Sequence, residues 1–415
     1  MSTAVSAPRL AAPAPPRRPS ALWLALLAAP VATGANAPVL ILPDMARSLG
    51  VSTAQATWLV TAFAWAMTVG TPLFAALVRH RGLRTTLLTG AVTALAGTVL
   101  VAVAPWFPLT LLGRAAQAAG GAGLVAVAMN LAGSTRRMGA ITAGFGVLGA
   151  VGPLLGSVLA GLLHWRVPLA LSALALLAVP AVWRHLTSAA PERATHAAPE
   201  RATHAAPFDT VGAGLVAALA SALVLIPMAP STGALVAAAV ALPLALHVRR
   251  RPDGFVPAAV VRSRAFVSSA LLAFVFSTSY FILLFALPEL ARRRTEWSTG
   301  TIGTGQLIAL LTGSVLSWLL AAAAARLGHR KVVTVLVALG TAAPLAAAFV
   351  PWGPALLIAA AAAVLVATGS NAVLSVHVGR SAPAAQRPAA IGLFVLCYQL
   401  GGALGPALAT LLVLA

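Results

Sequence analysis

The chain has 415 residues, of which 60% are hydrophobic and 8% charged, with a formal net charge of +20 at pH 7. Ordinary globular domains carry about 25% charged residues, so this chain has too little polar surface to cover itself in water, and a soluble basic protein is excluded. A nucleic-acid partner is excluded as well, because the arginines fall in short clusters between apolar runs (Arg79, Arg81 and Arg84; Arg136 and Arg137; Arg249 to Arg251) and form no continuous basic face.

Residues 1–20 are rich in Pro, Ala and Arg and are predicted to form a disordered cytoplasmic tail that buries nothing. With the first apolar run and Ala35-Asn36-Ala37 they imitate a cleavable signal peptide, but the charge bias of the later segments needs an inward-anchored first span. A helix crosses the hydrocarbon with about 20 apolar residues. That length predicts thirteen spans, at 22–42, 56–78, 84–104, 107–133, 138–163, 166–185, 209–228, 232–248, 265–288, 300–325, 332–350, 354–379 and 388–413. The charge-free run Val332 to Gly379 is too long for one crossing at about 1.5 Å per residue, and Pro351-Trp352-Gly353-Pro354 divides it.

With the N-terminus inside, the outer loops hold Arg47, Arg166 and Arg292-Arg293-Arg294; setting these five and Arg114 aside leaves 21 of the 27 basic residues on the inner side. This is the positive-inside bias, with the arginine triplet as its exception. Trp106, Trp165, Trp297 and Trp352 fall at outer boundaries, where indoles anchor helices to the interface. Residues 189–207 repeat the octapeptide AAPERATH and read as a flexible linker. The predicted organisation is a tail (1–20), an N-terminal bundle of spans 1–6 (21–186), a linker (187–208), an inserted helix pair (209–250) and a C-terminal bundle of spans 9–13 (251–415).

Two pairs of segments resemble each other. Arg79-His80-Arg81-Gly82-Leu83-Arg84 after span 2 is echoed by Arg326-Leu327-Gly328-His329-Arg330-Lys331 after span 10, and Gly149-Ala150-Val151-Gly152-Pro153 by Gly402-Ala403-Leu404-Gly405-Pro406. Gly82 and Gly328 lie 246 positions apart, Gly152 and Gly405 253 apart, which indicates one duplicated unit with an extra helix pair between the copies. Gly149, Gly152 and Gly156 clear one helix stripe and Pro153 frees a backbone carbonyl, so span 5 can approach a neighbour closely and bend; simple small-residue packing explains the same stripe. Gly82 and Gly328 permit tight turns, with arginines such as Arg84 holding the inner face.

These segments, with Arg114-Ala-Ala-Gln117-Ala-Ala-Gly120-Gly121, Trp165-Arg166, Phe208-Asp209-x-x-Gly212 and Gln399-Leu-Gly401-Gly402, resemble the major facilitator superfamily, in particular its fourteen-span drug:proton antiporter branch. The resemblance implies an all-α membrane fold of two pseudo-symmetric six-helix-type bundles plus an inserted pair. It also implies alternating access, a small-molecule cargo and protons as the exchanged ion. Six spans in the first copy meet five in the second, so the reading leaves a last peripheral helix missing and the C-terminus outside. The sequence departs from the family's pattern at three acidic positions. Arg79 and Ala325 stand where the loops carry an aspartate, and Gly34 stands where the first span carries one before Leu42-Pro43.

Away from the span ends Arg114 is the one charge, and a charge at that depth is a functional candidate by default, with snorkelling to the interface as the competing reading. Gln117 shares its face. Asn36, Gln306, Asn371 and Gln399 are neutral polar groups in other spans, and Trp65, Tyr280, Trp318 and Tyr398 are aromatics at similar depth. Together they suit a cavity for bulky apolar or cationic ligands, while helix–helix hydrogen bonding accounts for each polar residue separately. All seven acids lie at span ends or in loops. Asp44 and Glu289 are the candidate proton carriers; Glu289 alternatively pairs with Arg292 or Arg293, and Asp44 caps a helix or neutralises Arg47.

A single cysteine, Cys397, no clustered metal ligands and no Gly-x-x-x-x-Gly-Lys motif leave no cofactor and no enzyme chemistry to expect. The reading is a monomeric multi-pass protein of the plasma membrane that exports drugs or hydrophobic natural products. An uptake permease for a small organic solute and a degenerate, non-transporting sensor are the alternatives.

Overall fold

The computed structural model describes residues 19–132, 135–188, 209–227 and 229–414. The predicted tail up to residue 18, the octapeptide linker and the side chains of Arg79 and Ala325 lie outside the described residues.

Twelve helices are long and apolar enough to cross a membrane, and a thirteenth, shorter apolar helix falls where span 7 is predicted. They are α1 Ala21–Leu40, α2 Thr53–Val78, α3 His80–Val103, α4 Phe107–Ala132, α5 Thr135–Leu162, α6 Arg166–Thr187, α7 Thr210–Leu225, α8 Pro230–Arg250, α9 Arg264–Arg294, α10 Thr299–Ala324, α11 His329–Phe349, α12 Gly353–Ser381 and α13 Arg387–Val413. No strand occurs among the described residues.

Local chemistry sets the interruptions. α1 starts at Ser20, whose hydroxyl accepts from the Trp23 amide, and passes into a 3-10 turn over Ala37–Leu40 because Pro38 lacks the N–H an α-helix needs. Gly82 between α2 and α3 (φ 80°, ψ 173°) and Gly328 between α10 and α11 (φ 81°, ψ 149°) take nearly the same backbone conformation, one that side chains disfavour. The duplicated loops thus turn by one device.

The packing repeats with the same offset. α1 crosses α5, as α9 crosses α13; α4 packs on the α2–α3 pair, as α12 packs on α10 and α11. The two halves meet reciprocally, α2 against α13 and α5 against α10. That exchange of equivalent partners is what a two-fold relation between repeats requires. The inserted α7 and α8 pack on each other, and α7 is fastened to α2 by the Trp65 indole N–H donating to Ser221 Oγ at 2.8 Å.

Apolar cores are distributed unequally between the two ends. At the end away from the arginine clusters, one core draws Leu42, Leu59, Val101 and Leu169 of the first half together with Phe285, Leu310, Val364 and Ala409 of the second. Leu40 of α1 also joins Leu283, Ile302 and Leu356 there. At the arginine-rich end the cores separate. Leu27, Leu87, Leu124 and Val182 belong to first-half helices, and Phe266, Leu374, Val378 and Phe394 to a different core. Between the ends a further core joins Ala64, Trp65 and Val69 of α2 to Leu400, Ala403 and Leu404 of α13 and to Val224 of α7, so the halves also touch at mid-depth; the first-half and second-half cores nearest the arginine-rich end hold no residue in common among the described residues.

The arginines at the sparsely charged end, the exception to the charge bias, are each occupied. Arg47 pairs with Asp44. Arg292 and Arg293 both hold Glu289, at 2.9 and 2.8 Å, so pairing is what the structure forms of the two Glu289 readings. Arg166 donates to Ala102 and Ala104 at the end of α3, and Arg294 to Ala347, Ala348 and Val350 at the end of α11. Helix C-termini carry unpaired carbonyls and partial negative charge, which these guanidinium groups cap. Trp165 is not an interface anchor. It is buried in the shared core beside Leu169, whereas Trp106 and Trp352 are exposed as an interfacial indole should be.

Candidate functional site

The polar groups inside the membrane spans organise around backbone carbonyls that proline leaves unpaired. An internal proline removes the N–H that would bond the carbonyl four residues earlier, and in apolar surroundings an unpaired carbonyl costs several kcal/mol, about 2–7. Pro38 frees the carbonyl of Gly34, and Arg114 Nη2 of α4 donates to it at 2.9 Å. Pro153 frees that of Gly149, and Asn36 Nδ2 of α1 donates to it at 2.9 Å. Pro288 frees that of Leu284, and Gln306 Nε2 of α10 donates to it at 2.9 Å. Three of the candidate site residues therefore do the same local work, each from a neighbouring helix.

Arg114 is fully buried, and each of its three guanidinium nitrogens donates one hydrogen bond. Besides Gly34, Nε donates to the Leu59 carbonyl at 3.3 Å and Nη1 to Gln117 Oε1 at 3.1 Å, and the guanidinium lies 4.3 Å from the Phe63 ring centroid. Gln117 in turn donates to Thr98 Oγ1 and to the Leu169 carbonyl. This network ties α1, α2, α3, α4 and α6 together. Of the two sequence readings of Arg114, snorkelling does not occur. Among the described residues no carboxylate touches Arg114; its partners are dipoles. The residue at the expected carboxylate position, Gly34, has no room for a side chain, since a Cβ there would lie 2.7 Å from Ser172 Cβ of α6.

The glycine stripe of α5 lies on α1. A Cβ at Gly156 would sit 2.2 Å from the Ala37 carbonyl oxygen and one at Gly152 3.1 Å from Asn36 Cβ, while Gly149 faces Asn36 and Ala32. Thr33 Oγ1 adds a bond to the Leu148 carbonyl at 3.1 Å. In the second half Gly405 takes the matching place, a Cβ there falling 2.3 Å from Phe281 Cβ of α9, with Pro406 next to it and buried. Arg84 fastens the start of α3 to the Leu186 and Thr187 carbonyls at the end of α6.

The second half presents the remaining candidates at mid-depth. Tyr280 of α9, Asn371 of α12 and Gln399 of α13 are half-buried. Gln399 Oε1 and Gln306 Oε1 have no hydrogen-bond partner among the described residues, while the hydroxyl of fully buried Ser277 lies beside that of Tyr398. Asp44 and Glu289 stand apart from this level, in the arginine pairs at one end. Sequence reasoning missed Phe63, Thr98, Ser172 and Ser277; none carries a local motif, and only the crossing of helices brings them to Arg114, Gln117, Gly34 and α13.

A separate polar cluster closes the inserted pair. Asp209 caps α7, accepting from the Gly212 amide at 2.9 Å, from the Phe255 amide at 2.9 Å and from His247 Nε2 of α8 at 2.8 Å. Burial pushes its carboxyl up, but the Phe255 and Gly212 amides and His247 outweigh that and hold it below the usual carboxylate range. Among the described residues no group of His, Cys, Asp and Glu is arranged to hold a metal.

The family profile described as Major Facilitator Superfamily matches residues 22–261 and 269–415. Over 152 residues the chain is 32% identical to the "MFS transporter L2" of Phoma sp. (strain ATCC 20986 / MF5453), covering 35% of this chain and 25% of that protein. Over 133 residues it is 34% identical to the "Chloramphenicol resistance protein" of Streptomyces lividans, covering 30% of this chain and 34% of that one. These matches thus span about a quarter and a third of the relatives' lengths. Crystal structures of a POT family transporter superpose with TM-scores of 0.58, in complex with a thioalcohol-conjugated peptide, and 0.59, in complex with 5-aminolevulinic acid. Each covers 94% of this chain and 89% of its own at 13% identity, a likeness of fold alone.

Proposed function

Because the chain belongs to the major facilitator superfamily, we propose that it is a secondary transporter of the plasma membrane that exports hydrophobic, natural-product-like compounds by alternating access. The observation that carries this reading is the unequal distribution of cores: the halves share apolar packing at one end and as far as mid-depth, and are packed separately at the arginine-rich end. With the arginine-rich end placed in the cytoplasm by the positive-inside rule, this is a carrier sealed outside and divided inside. The two halves would rock about the α1–α5 and α9–α13 crossings as units bounded by residues 21–186 and 251–415, with residues 209–250 as the inserted pair. Tyr280, Asn371 and Gln399 would face the cargo at mid-depth from a single monomeric chain.

The two candidate carboxylates for proton exchange, Asp44 and Glu289, are both held by arginines at one end. We therefore assign the drive to the cargo's own gradient, which suffices for a compound made inside the cell and released outward. The test is efflux of chloramphenicol and a panel of neutral dyes from cells with and without the protein, repeated with the proton gradient collapsed. Faster efflux that survives the collapse is expected; retention equal to that of empty cells for every compound would overturn the export reading.

A further inference from the structure

We infer that the transport path selects against cations and that the cargo is neutral or anionic; this rests on the export reading. Away from the helix ends, the thirteen apolar segments contain one charged residue, Arg114, and no carboxylate. The acids that the structure describes are committed elsewhere or stand in loops: Asp44 to Arg47, Glu289 to Arg292 and Arg293, Asp209 to His247 and Asp253 to Gln386, with Glu296 in the α9–α10 loop. Glu192 and Glu200 fall in the octapeptide repeat. No fixed anion is left at mid-depth to receive a cationic cargo.

Arg114 makes that lack directional. Its three nitrogens donate to the carbonyls of Gly34 and Leu59 and to Gln117, but these are neutral groups, so a full positive charge stays inside the first half. Buried charge is felt at long range because little polarisable medium screens it. At a separation on the order of 10 Å and an effective dielectric constant of about 20, a second positive charge is disfavoured on the order of 10-fold in occupancy, and a negative one favoured by the same factor. Gly34 and Ser172 fix this polarity sterically, because the 2.7 Å approach between a Gly34 Cβ and Ser172 Cβ denies Arg114 a counter-ion on the residue whose carbonyl it holds.

The experiment reconstitutes the full chain in proteoliposomes and compares two dyes on one xanthene skeleton, rhodamine 123 as cation and fluorescein methyl ester as anion at mildly alkaline pH. Each flux is referred to protein-free vesicles. The anionic ester should move about 10-fold faster than rhodamine 123 or more. Equal or faster movement of rhodamine 123 would overturn the charge inference while leaving export standing, whereas no flux of either dye would sink the export reading and the inference with it. Two folded variants test the cause. Arg114→Gln removes the charge, and Gly34→Asp combined with Ser172→Gly supplies the counter-ion with the space it needs. Both should bring the flux ratio toward unity; a ratio unchanged in both would show that Arg114 does not set it.

Discussion

Replacing Asn36 by Ala removes the donor that closes the Gly149 carbonyl, and the cost should depend on whether Pro153 is present. In the native chain that carbonyl has no other partner, because the residue four positions on is proline. Leaving a buried acceptor open costs about 1–3 kcal/mol in water-soluble proteins, while interhelical hydrogen bonds in membranes average about 0.6 kcal/mol with a maximum near 1.7. A loss of about 1 kcal/mol, roughly 5-fold in the unfolding equilibrium, is therefore expected for Asn36→Ala. Pro153→Ala returns an in-helix N–H to Gly149, so in that background Asn36→Ala should cost only the small packing defect. The four proteins form a double-mutant cycle with a coupling of about 1 kcal/mol, measured by equilibrium unfolding in mixed micelles. Asn36→Asp, which cannot donate, should be worse than Ala, since it sets an anion against the carbonyl. An Asn36→Ala cost that is the same with and without Pro153 would refute the carbonyl-capping argument, and with it the parallel account of Gln306 with Pro288.

Gly156→Ala should disrupt the α1–α5 crossing, because its Cβ would lie 2.2 Å from a backbone oxygen that cannot rotate away; Gly161→Ala, with nothing within 4 Å, is the matched control, and the two are compared by thermal unfolding and flux. Asp209 has a depressed carboxyl pKa, so the stability it contributes is present above the unfolded value near 4 and is lost as pH falls through the lower folded value. Asp209→Asn should accordingly lower the melting temperature at neutral pH and abolish the acid-side decline below about pH 4 in the part of the unfolding that follows α7 and α8; an undiminished decline in the variant would mean another group titrates there.

The membrane fold was legible because it rests on composition and period. Apolar runs of span length locate all thirteen helices, and the spacing of Gly82 to Gly328 and of Gly152 to Gly405 announces the duplication that the α1–α5 and α9–α13 crossings display. Span 7 is the weak case, since its helix Thr210–Leu225 is shorter than a full crossing. The site was legible as a set of residue types and not as contacts. Arg114, Asn36 and Gln306 stand out in the sequence as polar among apolar, but which carbonyl each meets depends on helix crossings, and a proline's effect is registered four residues upstream of it. Helical spacing offered the pairing of Arg292 and Arg293 with Glu289, but Arg294 was opaque for a related reason. Its partners Ala347, Ala348 and Val350 offer main-chain atoms, which no side-chain pattern reveals.

The three capped carbonyls also bear on why an arginine is there at all. Asn36 and Gln306 close the carbonyls left by Pro153 and Pro288 with neutral amides, so the packing task requires a donor and not a charge. At Pro38 the same task falls to a cation that is fully buried, has no counter-ion among the described residues and is held by two carbonyls, an amide and an aromatic face. Burying a charge costs several kcal/mol more than burying an amide, on the order of 3 even by the most lenient membrane scale. Stability alone would therefore favour a glutamine at this position. What arginine adds beyond a glutamine is reach and a fixed positive field at the level where the halves meet. If Arg114→Gln proved as stable as the native chain or more so while losing discrimination between dyes of opposite charge, the two roles would be separated: the carbonyl needs a donor, and the transport path needs the charge.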